Sequence, residues 1–221
     1  MLFRLGEETC IFIHVPKTGG NTIQASLIEA GLSLDEIIVE DHQDGFDRFQ
    51  IRGEYTRNKH QLLFHYLADN PHLSNAKVYS CVRRPFERMV SYYFSPHRHV
   101  RKRFRFFGPY RLPETVKFNE KKFISLVEKS QTASSRICPL ETDNTNEQKT
   151  LIIDMLRSNK LTILKTENLS NDFFQHFKFP ITRQSRNISP YQEQIRTIQG
   201  SLTLRNYVER SKHAIDLELF Y

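Results

Sequence analysis

The sequence predicts an α/β fold in which a central parallel sheet is covered by helices on both faces. Three apolar runs rich in β-branched and aromatic residues, at 9–15, 77–82 and 161–165, are typical of buried strands. Segments with apolar residues three and four positions apart, which are typical of helices, separate these runs along the 221-residue chain. Strands that alternate with helices pair in parallel and need cover on both faces.

The individual elements follow from these two periodicities and from residues that start or stop helices. Gly31 and Pro71 each follow a helical pattern that they end, and Pro85 stands at the first turn of another. In chain order the prediction is strand 9–15, helix 21–30, strand 36–40, an irregular polar stretch 41–59, helix 60–69, strand 77–82, helix 85–94, a basic loop 97–111, helices 120–130 and 147–158, strand 161–165, and helices 168–177 and 201–213.

Composition indicates a single globular domain over 1–221 with an anionic partner. The net charge of +7 favours an anionic substrate, cofactor or polymer. The three cysteines show no metal-type spacing and are typical of a reducing compartment. No apolar run approaches the ~20 residues that span a bilayer, and the first residues lack a signal-peptide core. We therefore expect a cytoplasmic protein without a membrane span.

The segment FIHVPKTGGNTI predicts an anion-binding turn between a strand and a helix. Gly19 and Gly20 let the backbone approach a ligand closely, and the N–H groups at the helix start favour a negative charge. Lys17 adds a cation, and Thr18 and Thr22 add hydroxyl groups. The order differs from the G-x-x-x-x-G-K-[ST] loop, in which a glycine comes well before the lysine. A plain strand–turn–helix connection with a solvated lysine is the alternative.

The segment VRRPFERMVSYY predicts a second anion site at the same edge of the sheet. Arg83 ends a predicted strand, and Ser91 lies eight residues later, about two helical turns along. Because ligands bind beyond the carboxyl ends of parallel strands, this pair and the glycine turn face the same space. Two phosphate sites at one edge suit a nucleotide phosphorylated at both ends of its ribose. A surface arginine and an exposed hydroxyl are the alternative.

Together these segments resemble the sulfotransferase family. HVPKTGGNT is similar to the loop H-I-P-K-T-G-G-T-S that binds the 5′-phosphosulfate, and VRRPFERMVSYY to the 3′-phosphate element V-R-x-P-x-x-R-L-V-S-x-Y. LTILKTENLSNDF, RNISPYQEQ and NYVERSKHAIDLELFY resemble later parts of the family more loosely. The likeness is strongest to carbohydrate sulfotransferases of the heparan 2-O- and chondroitin 4-O-type and to short bacterial relatives. Asn21 departs from the Thr or Ser usual at its position.

The resemblance implies a P-loop NTPase-like three-layer fold and an enzyme that needs no metal. Its donor would be 3′-phosphoadenosine 5′-phosphosulfate (PAPS), its product adenosine 3′,5′-bisphosphate, and its acceptor a hydroxyl or an amine. Lys17 would be catalytic, because it would neutralise the bridging oxygen as that oxygen leaves. The implied donor-binding residues are Pro16, Lys17, Thr18, Gly19, Gly20, Asn21, Thr22, Arg83, Ser91 and Asn187.

A hydroxyl acceptor needs a general base, and His60 is the leading candidate for that role and for contact with the acceptor. We expect activity to rise with pH through the titration of His60, near ~6.5. An acid within 41–54 is the alternative base. We expect His14 to shape the phosphate site and His65 to pack in the core.

The segment HRHVRKRFRFFGPYR, residues 97–111, holds six Lys or Arg residues and no acid. It predicts a lid or groove for an anionic acceptor such as a sulfated or uronic-acid glycan, with Arg98, Arg101 and Arg103 as substrate-binding residues. A solvated loop is the alternative. Its interleaved aromatic residues also leave stacking on nucleic acid open.

Two other functions remain open from the sequence. A P-loop-type kinase using ATP and magnesium would share the fold class, but G-K-[ST] is missing and strand 161–165 does not end in an acid. A nucleic-acid-binding module would use the basic loop and would leave the two phosphate segments unexplained, so we do not expect nucleic acid as a partner. The sequence indicates neither the identity of the acceptor nor the oligomeric state.

Overall fold

A mixed sheet of four strands forms the centre of the protein in a computed structural model, which describes residues 1–39, 49–99, 114–182 and 189–221. The strands are β1 (Leu2–Leu5), β2 (Glu8–Ile13), β3 (Glu36–Val39), β4 (Phe49–Arg52), β5 (Lys77–Val82) and β6 (Leu161–Lys165). The central sheet has the order β1-β2-β5-β6, and β3 pairs with β4 in a separate antiparallel pair. The predicted α/β class is therefore confirmed.

The prediction of a wholly parallel sheet is wrong at one edge. β2, β5 and β6 are parallel, but β1 runs antiparallel to β2 with Leu2 opposite Ile11. The two strands are joined by only Gly6 and Glu7, and so short a connection can only turn the chain back on itself. Gly6 has a φ of 62°, a backbone conformation that favours glycine.

Helices lie on both sides of this sheet. They are α1 (Gly20–Glu29), α2 (Leu63–Asp69), α3 (Pro85–Tyr93), α4 (Pro96–His99), α5 (Glu120–Lys129), α6 (Ala133–Ile137), α7 (Thr145–Arg157), α8 (Leu169–Phe177), α9 (Gln192–Gln199), α10 (Leu202–Glu209) and α11 (Ala214–Phe220), with short 3-10 turns at Pro71–Asn75 and Thr166–Asn168. No helix in the described ranges combines the length and the apolar character that crossing a membrane requires.

Several predicted bounds shift for local reasons. The helix expected over 60–69 begins at Leu63, because the Asn58 side chain accepts from the His60 amide (2.9 Å) and holds the preceding residues in a turn. The helix expected over 201–213 ends at Glu209, since the Ser211 hydroxyl donates to the Val208 carbonyl and accepts from the His213 amide, and the residues after 213 form the separate helix α11. The strands β1 and β4 and the helices α4, α6, α9 and α11 were not predicted.

The central strands contribute side chains to two hydrophobic cores, one on each face of the sheet, because successive side chains alternate between the faces. On β2, Ile11 and Ile13 pack with α2, α6 and α7, whereas Cys10 and Phe12 pack with α1 and α8. On β5, Cys81 is buried in the second of these cores. Both faces of the sheet are therefore covered as predicted, and the two strand cysteines are core thiols.

The carboxyl ends of the three parallel strands are tied together by one hydroxyl group. Thr166, just after β6, places its Oγ1 2.7 Å from the carbonyl oxygen of Thr18 and 2.8 Å from that of Val82. Thr18 follows β2, and Val82 ends β5. This edge is thus held in register from three chain segments that are distant in sequence.

Candidate functional site

A cleft of about 690 Å³ opens at the carboxyl edge of the parallel strands. It brings together most of the residues that the sequence singles out, namely Pro16, Lys17, Gly19, Gly20, Asn21, Thr22, His60, Arg83, Ser91 and Arg98. Asn187, Arg101 and Arg103 lie outside the described residues, as does all of the basic loop beyond His99. Of the acids within 41–54, Asp41, Asp44 and Asp47 also lie outside them, and Glu54 is exposed and does not line the cleft. The predicted convergence of the two phosphate segments on one space is therefore seen in the fold.

The turn after β2 is shaped by two residues in the left-handed region. Lys17 has a φ of 69° and Gly19 a φ of 87°. Gly20 starts α1 directly against the His14 ring, where an added Cβ would lie 2.3 Å from Cδ2. Glycine at position 20 is therefore required by packing as well as by any ligand.

Thr18 does not offer its hydroxyl to the cleft. Its side chain is buried, and Oγ1 donates to the carbonyl of Val15 (2.7 Å), which pins the turn internally. The suggestion that both threonine hydroxyls face a ligand is thus wrong for Thr18, whereas Thr22 does line the cleft. The Thr22 amide is also occupied, because it donates to the carbonyl of Gly19 (2.9 Å).

The amides just before Thr22 are the groups in the turn that can bind an anion. Those of Lys17, Gly19, Gly20 and Asn21 donate to no acceptor in the described part of the chain. Successive N–H groups in a turn of mixed handedness form an anion-binding concavity, and the start of α1 adds the positive end of a helix dipole. The Asn21 Oδ1 is also buried without a hydrogen-bond partner, so the start of α1 carries a polar atom that a ligand with a donor group could bind.

Lys17 and Arg83 both line the cleft, and their like charges interact. Burial, and then the charge of Arg83, lower the pKa of Lys17 to about 8. The Lys17 Nζ lies 3.5 Å from the hydroxyl of Ser95. Burial also lowers the pKa of Arg83, although the charges of Glu167 and Glu87 act to raise it, and Arg83 forms no salt bridge with any described residue. Both cations are therefore held where a bound anion would stabilise them.

The charge of the cleft is entirely positive among its described lining residues. Five basic side chains line it, and no Asp or Glu does: Lys17, Lys59, Arg83, Arg98 and Arg136. Like charges gathered in a partly desolvated space repel one another, and an anion relieves that cost. The lining thus favours a ligand with more than one negative group.

His60 lies within this positive environment and is neutral. Burial, then Lys59 and Arg136, lower the pKa of His60 to about 4, so the expected titration near ~6.5 is wrong for the protein without a ligand's charge beside the ring. The guanidinium of Arg136 donates to the His60 carbonyl (3.0 Å), which explains its influence. The His60 Nδ1 is buried without a hydrogen-bond partner.

His14 lies beside His60, with ring centroids 4.6 Å apart. Its Nδ1 donates to Gln24 Oε1 (2.9 Å), and its ring packs on Gly20. Burial, followed by His60, lowers the pKa of His14 well below the usual value. His14 therefore supports the glycine turn, in line with its predicted place beside the phosphate site.

His65 was expected to pack in the core and is instead exposed. Leu63 and Tyr66 are the buried residues of α2. In a helix, position 65 is two residues from 63 and points to nearly the opposite side. His65 contacts the ring of Phe64 at the surface, with ring centroids 4.0 Å apart.

Several cleft residues were missed by sequence reasoning, namely Gln50, Lys59, Tyr92, Ser95, Arg136 and Thr166. Ser95 could have been found, because it follows Ser91 by four residues, the spacing of one helix face. Thr166 could have been found as the residue after a central strand. Arg136 carried no such signal, since it lies on the unpredicted α6, which Thr132 caps by accepting from the Ser135 amide.

Comparisons of the chain with protein-family models, with curated proteins and with solved structures found no match.

Proposed function

We propose that the protein is a sulfotransferase that moves a sulfuryl group from PAPS to a hydroxyl or amine acceptor. One observation carries the proposal: the glycine turn and the Arg83–Ser91 element line a single cleft whose described lining has five cations and no acid. A donor with a phosphosulfate at one end and a 3′-phosphate at the other matches that pair of sites. We extend the proposal to a P-loop NTPase-like fold, which the glycine turn between β2 and α1 supports.

In this proposal the loop binds the 5′-phosphosulfate and the second element binds the 3′-phosphate. Backbone amides over 17–21 donate to the 5′-phosphate and sulfate oxygens. Arg83 and Ser91 hold the 3′-phosphate by charge-assisted hydrogen bonds. Asn187 would add a further contact, as the resemblance implies.

The chemical step is a displacement at sulfur. The acceptor oxygen forms a bond to sulfur, and the bond from sulfur to the bridging oxygen breaks, leaving its electron pair on the 5′-phosphate of the departing bisphosphate. Lys17 stabilises the charge that develops on that bridging oxygen. Preorganised positive groups of this kind contribute mainly by alignment and charge stabilisation.

His60 is suited to accept the acceptor proton, because its neutral form is the one present at neutral pH. Its pKa of about 4 makes it a weak base before the donor binds. A bound polyanionic donor would raise that pKa by placing negative charge next to the ring. The base would thus become stronger when the donor is in place.

Ligand-dependent stabilisation tests the proposal against its alternatives. Adenosine 3′,5′-bisphosphate without magnesium should raise the melting temperature, whereas a kinase would respond to ATP with magnesium and a nucleic-acid-binding module to oligonucleotides. A labelled-sulfate transfer screen over glycan, lipid, peptide and small-molecule acceptors then identifies the acceptor. No stabilisation by the bisphosphate would reject the proposal. An anionic glycan acceptor and a cytoplasmic location are parts of the proposal that the screen and cell fractionation test.

A further inference from the structure

A second cavity, of about 510 Å³, lies beside the cleft along α5. Tyr92 and Arg98 line both spaces, so the cavity and the cleft share a wall. We call this cavity the α5 groove; the α5 residues that line it are Lys121, Lys122, Ser125, Leu126 and Lys129. A ligand that fills the cleft can therefore extend into the groove past Tyr92 and Arg98.

The polar residues of the groove form one ordered row. Lys122, Ser125 and Lys129 recur at three- and four-residue spacing, which places them on one face of the helix. Lys122 and Lys129 are seven residues apart, or about 10 Å along the axis. The opposite side of α5 buries Phe123 and Val127 in the aromatic core, so the row is carried by a fixed element.

The described lining of the groove is as free of acids as that of the cleft. Three lysines and Arg98 line it, without an Asp or Glu. Glu128 belongs to the same helix but does not reach the groove, because its carboxylate accepts from the Tyr207 hydroxyl (3.2 Å) on α10. The groove therefore continues the positive field of the cleft instead of closing it with ion pairs.

We propose that the α5 groove binds an anionic group of an extended sulfated or carboxylated oligosaccharide whose acceptor hydroxyl enters the cleft. This inference rests on the proposed function, since the cleft must hold the reacting end. A small acceptor would be held within the cleft alone and would leave the row of lysines without a partner. Lysines about one to two helical turns apart instead match anionic groups repeated along a chain.

Nucleic acid fits the described groove less well than an oligosaccharide does. Single strands are bound by aromatic rings on which successive bases stack. Tyr92 is the one aromatic residue lining the described groove, and the Arg98 guanidinium lies over its ring at 5.4 Å from the centroid. The lining offers lysine ammonium groups and the Ser125 hydroxyl, which suit sulfate, carboxylate and sugar hydroxyl groups.

The test compares binding of a sulfated octasaccharide and a sulfated disaccharide to the full chain by calorimetry. The variant Lys122→Gln/Lys129→Gln should weaken octasaccharide binding roughly five- to tenfold, as expected for two exposed charge contacts. It should leave disaccharide binding and the thermal shift by adenosine 3′,5′-bisphosphate unchanged. A control variant of equal charge, Lys178→Gln/Lys212→Gln, removes two exposed lysines that line neither space and should bind like the wild type.

Four outcomes would overturn the inference. They are unchanged octasaccharide binding in the groove variant, an equal loss in the control variant, equal binding of an octasaccharide without sulfate or carboxylate groups, and the same groove-dependent loss for a single-stranded oligonucleotide of matched charge. Failure of the proposed function gives a different result. In that case the bisphosphate gives no thermal shift, while groove-dependent binding of the sulfated octasaccharide persists and supports the groove as a site in its own right.

Discussion

Replacing Arg83 with alanine tests whether this arginine contributes to ligand affinity or to the stability of the fold. Arg83 lines the cleft without a salt bridge to any described residue, and its charge lowers the pKa of Lys17. Burial disfavours this guanidinium, whereas the charges of Glu167 and Glu87 favour it without a salt bridge, so its removal should change the free energy of unfolding little. Affinity for adenosine 3′,5′-bisphosphate should fall instead.

The expected loss follows from the kind of contact. A hydrogen bond to a charged group contributes about 1.5–3 kcal/mol, and each 1.4 kcal/mol is a factor of ten, so Arg83→Ala should raise the Kd for the bisphosphate roughly 10- to 150-fold. Isothermal calorimetry at pH 7 measures this value directly. Arg84→Ala is the matched control, because Arg84 is the next residue, is exposed, and lies over the Tyr221 ring at 4.9 Å from its centroid.

Arg83 does not hold the 3′-phosphate if Arg83→Ala binds the bisphosphate as the wild type does, or if Arg84→Ala loses as much affinity. A second observable comes from Lys17. Since Arg83 helps to lower the Lys17 pKa to about 8, the variant should show a higher Lys17 pKa by NMR titration. An unchanged Lys17 titration would mean that the two cations are not coupled in solution.

Three further predictions concern other parts of the cleft. Lys17→Met should raise the free energy of unfolding at pH 7 by on the order of 1–3 kcal/mol, measured in urea, while sulfate transfer falls about 10²–10³-fold. The stability gain has this sign because the Lys17 pKa of about 8 lies below the usual 10.5, so the cost of a buried ammonium is fully present below pH 8 and disappears as pH rises toward 10.5; a loss of stability would contradict it. Gly20→Ala should cost about 1–3 kcal/mol and weaken bisphosphate binding, since the new Cβ would meet the His14 ring at 2.3 Å, whereas Gly200→Ala, with its nearest contact at 3.5 Å, should change neither. His60→Asn should lower kcat about 10²–10⁴-fold at constant bisphosphate affinity. Because the His60 pKa is about 4 before the donor binds, the pH profile of the wild-type kcat/KM for the donor should show no inflection near pH 6.5; an inflection there that the variant lacks would disprove the placement.

The parts of the fold that sequence predicts well are those with a strong local pattern. β5 and β6 have the predicted bounds, because each is a short apolar run bounded by polar residues. β1 was missed since four residues are too few to show a period, and its partner β2 makes it a strand. The antiparallel edge is therefore a tertiary property that the alternation of strands and helices cannot indicate.

The same distinction separates the site residues that were predicted from those that were not. The glycine turn, Arg83 and Ser91 belong to compact segments whose spacing carries the chemistry. Arg136 reaches the cleft from a distant helix and bonds to the carbonyl of His60, which no local pattern indicates. The His60 pKa was wrong for the same reason, because burial and the charges of Lys59 and Arg136 lower it, and two of these three causes need the folded chain.

An anion bound in the cleft would lower the electrostatic cost of its basic lining residues. Burial and mutual repulsion lower the pKa of Lys17, of Arg136 and of His60, so the fold carries an electrostatic cost at this edge of the sheet. Packing in the two sheet cores, and the hydrogen bonds of the Thr166 hydroxyl that joins three strand ends, stabilise the fold against this cost. A bound polyanion adds an attraction to each of these basic groups and so offsets part of that cost. A site whose basic groups are already positioned by the fold loses little conformational entropy when it binds a highly charged donor, and this favours tight binding.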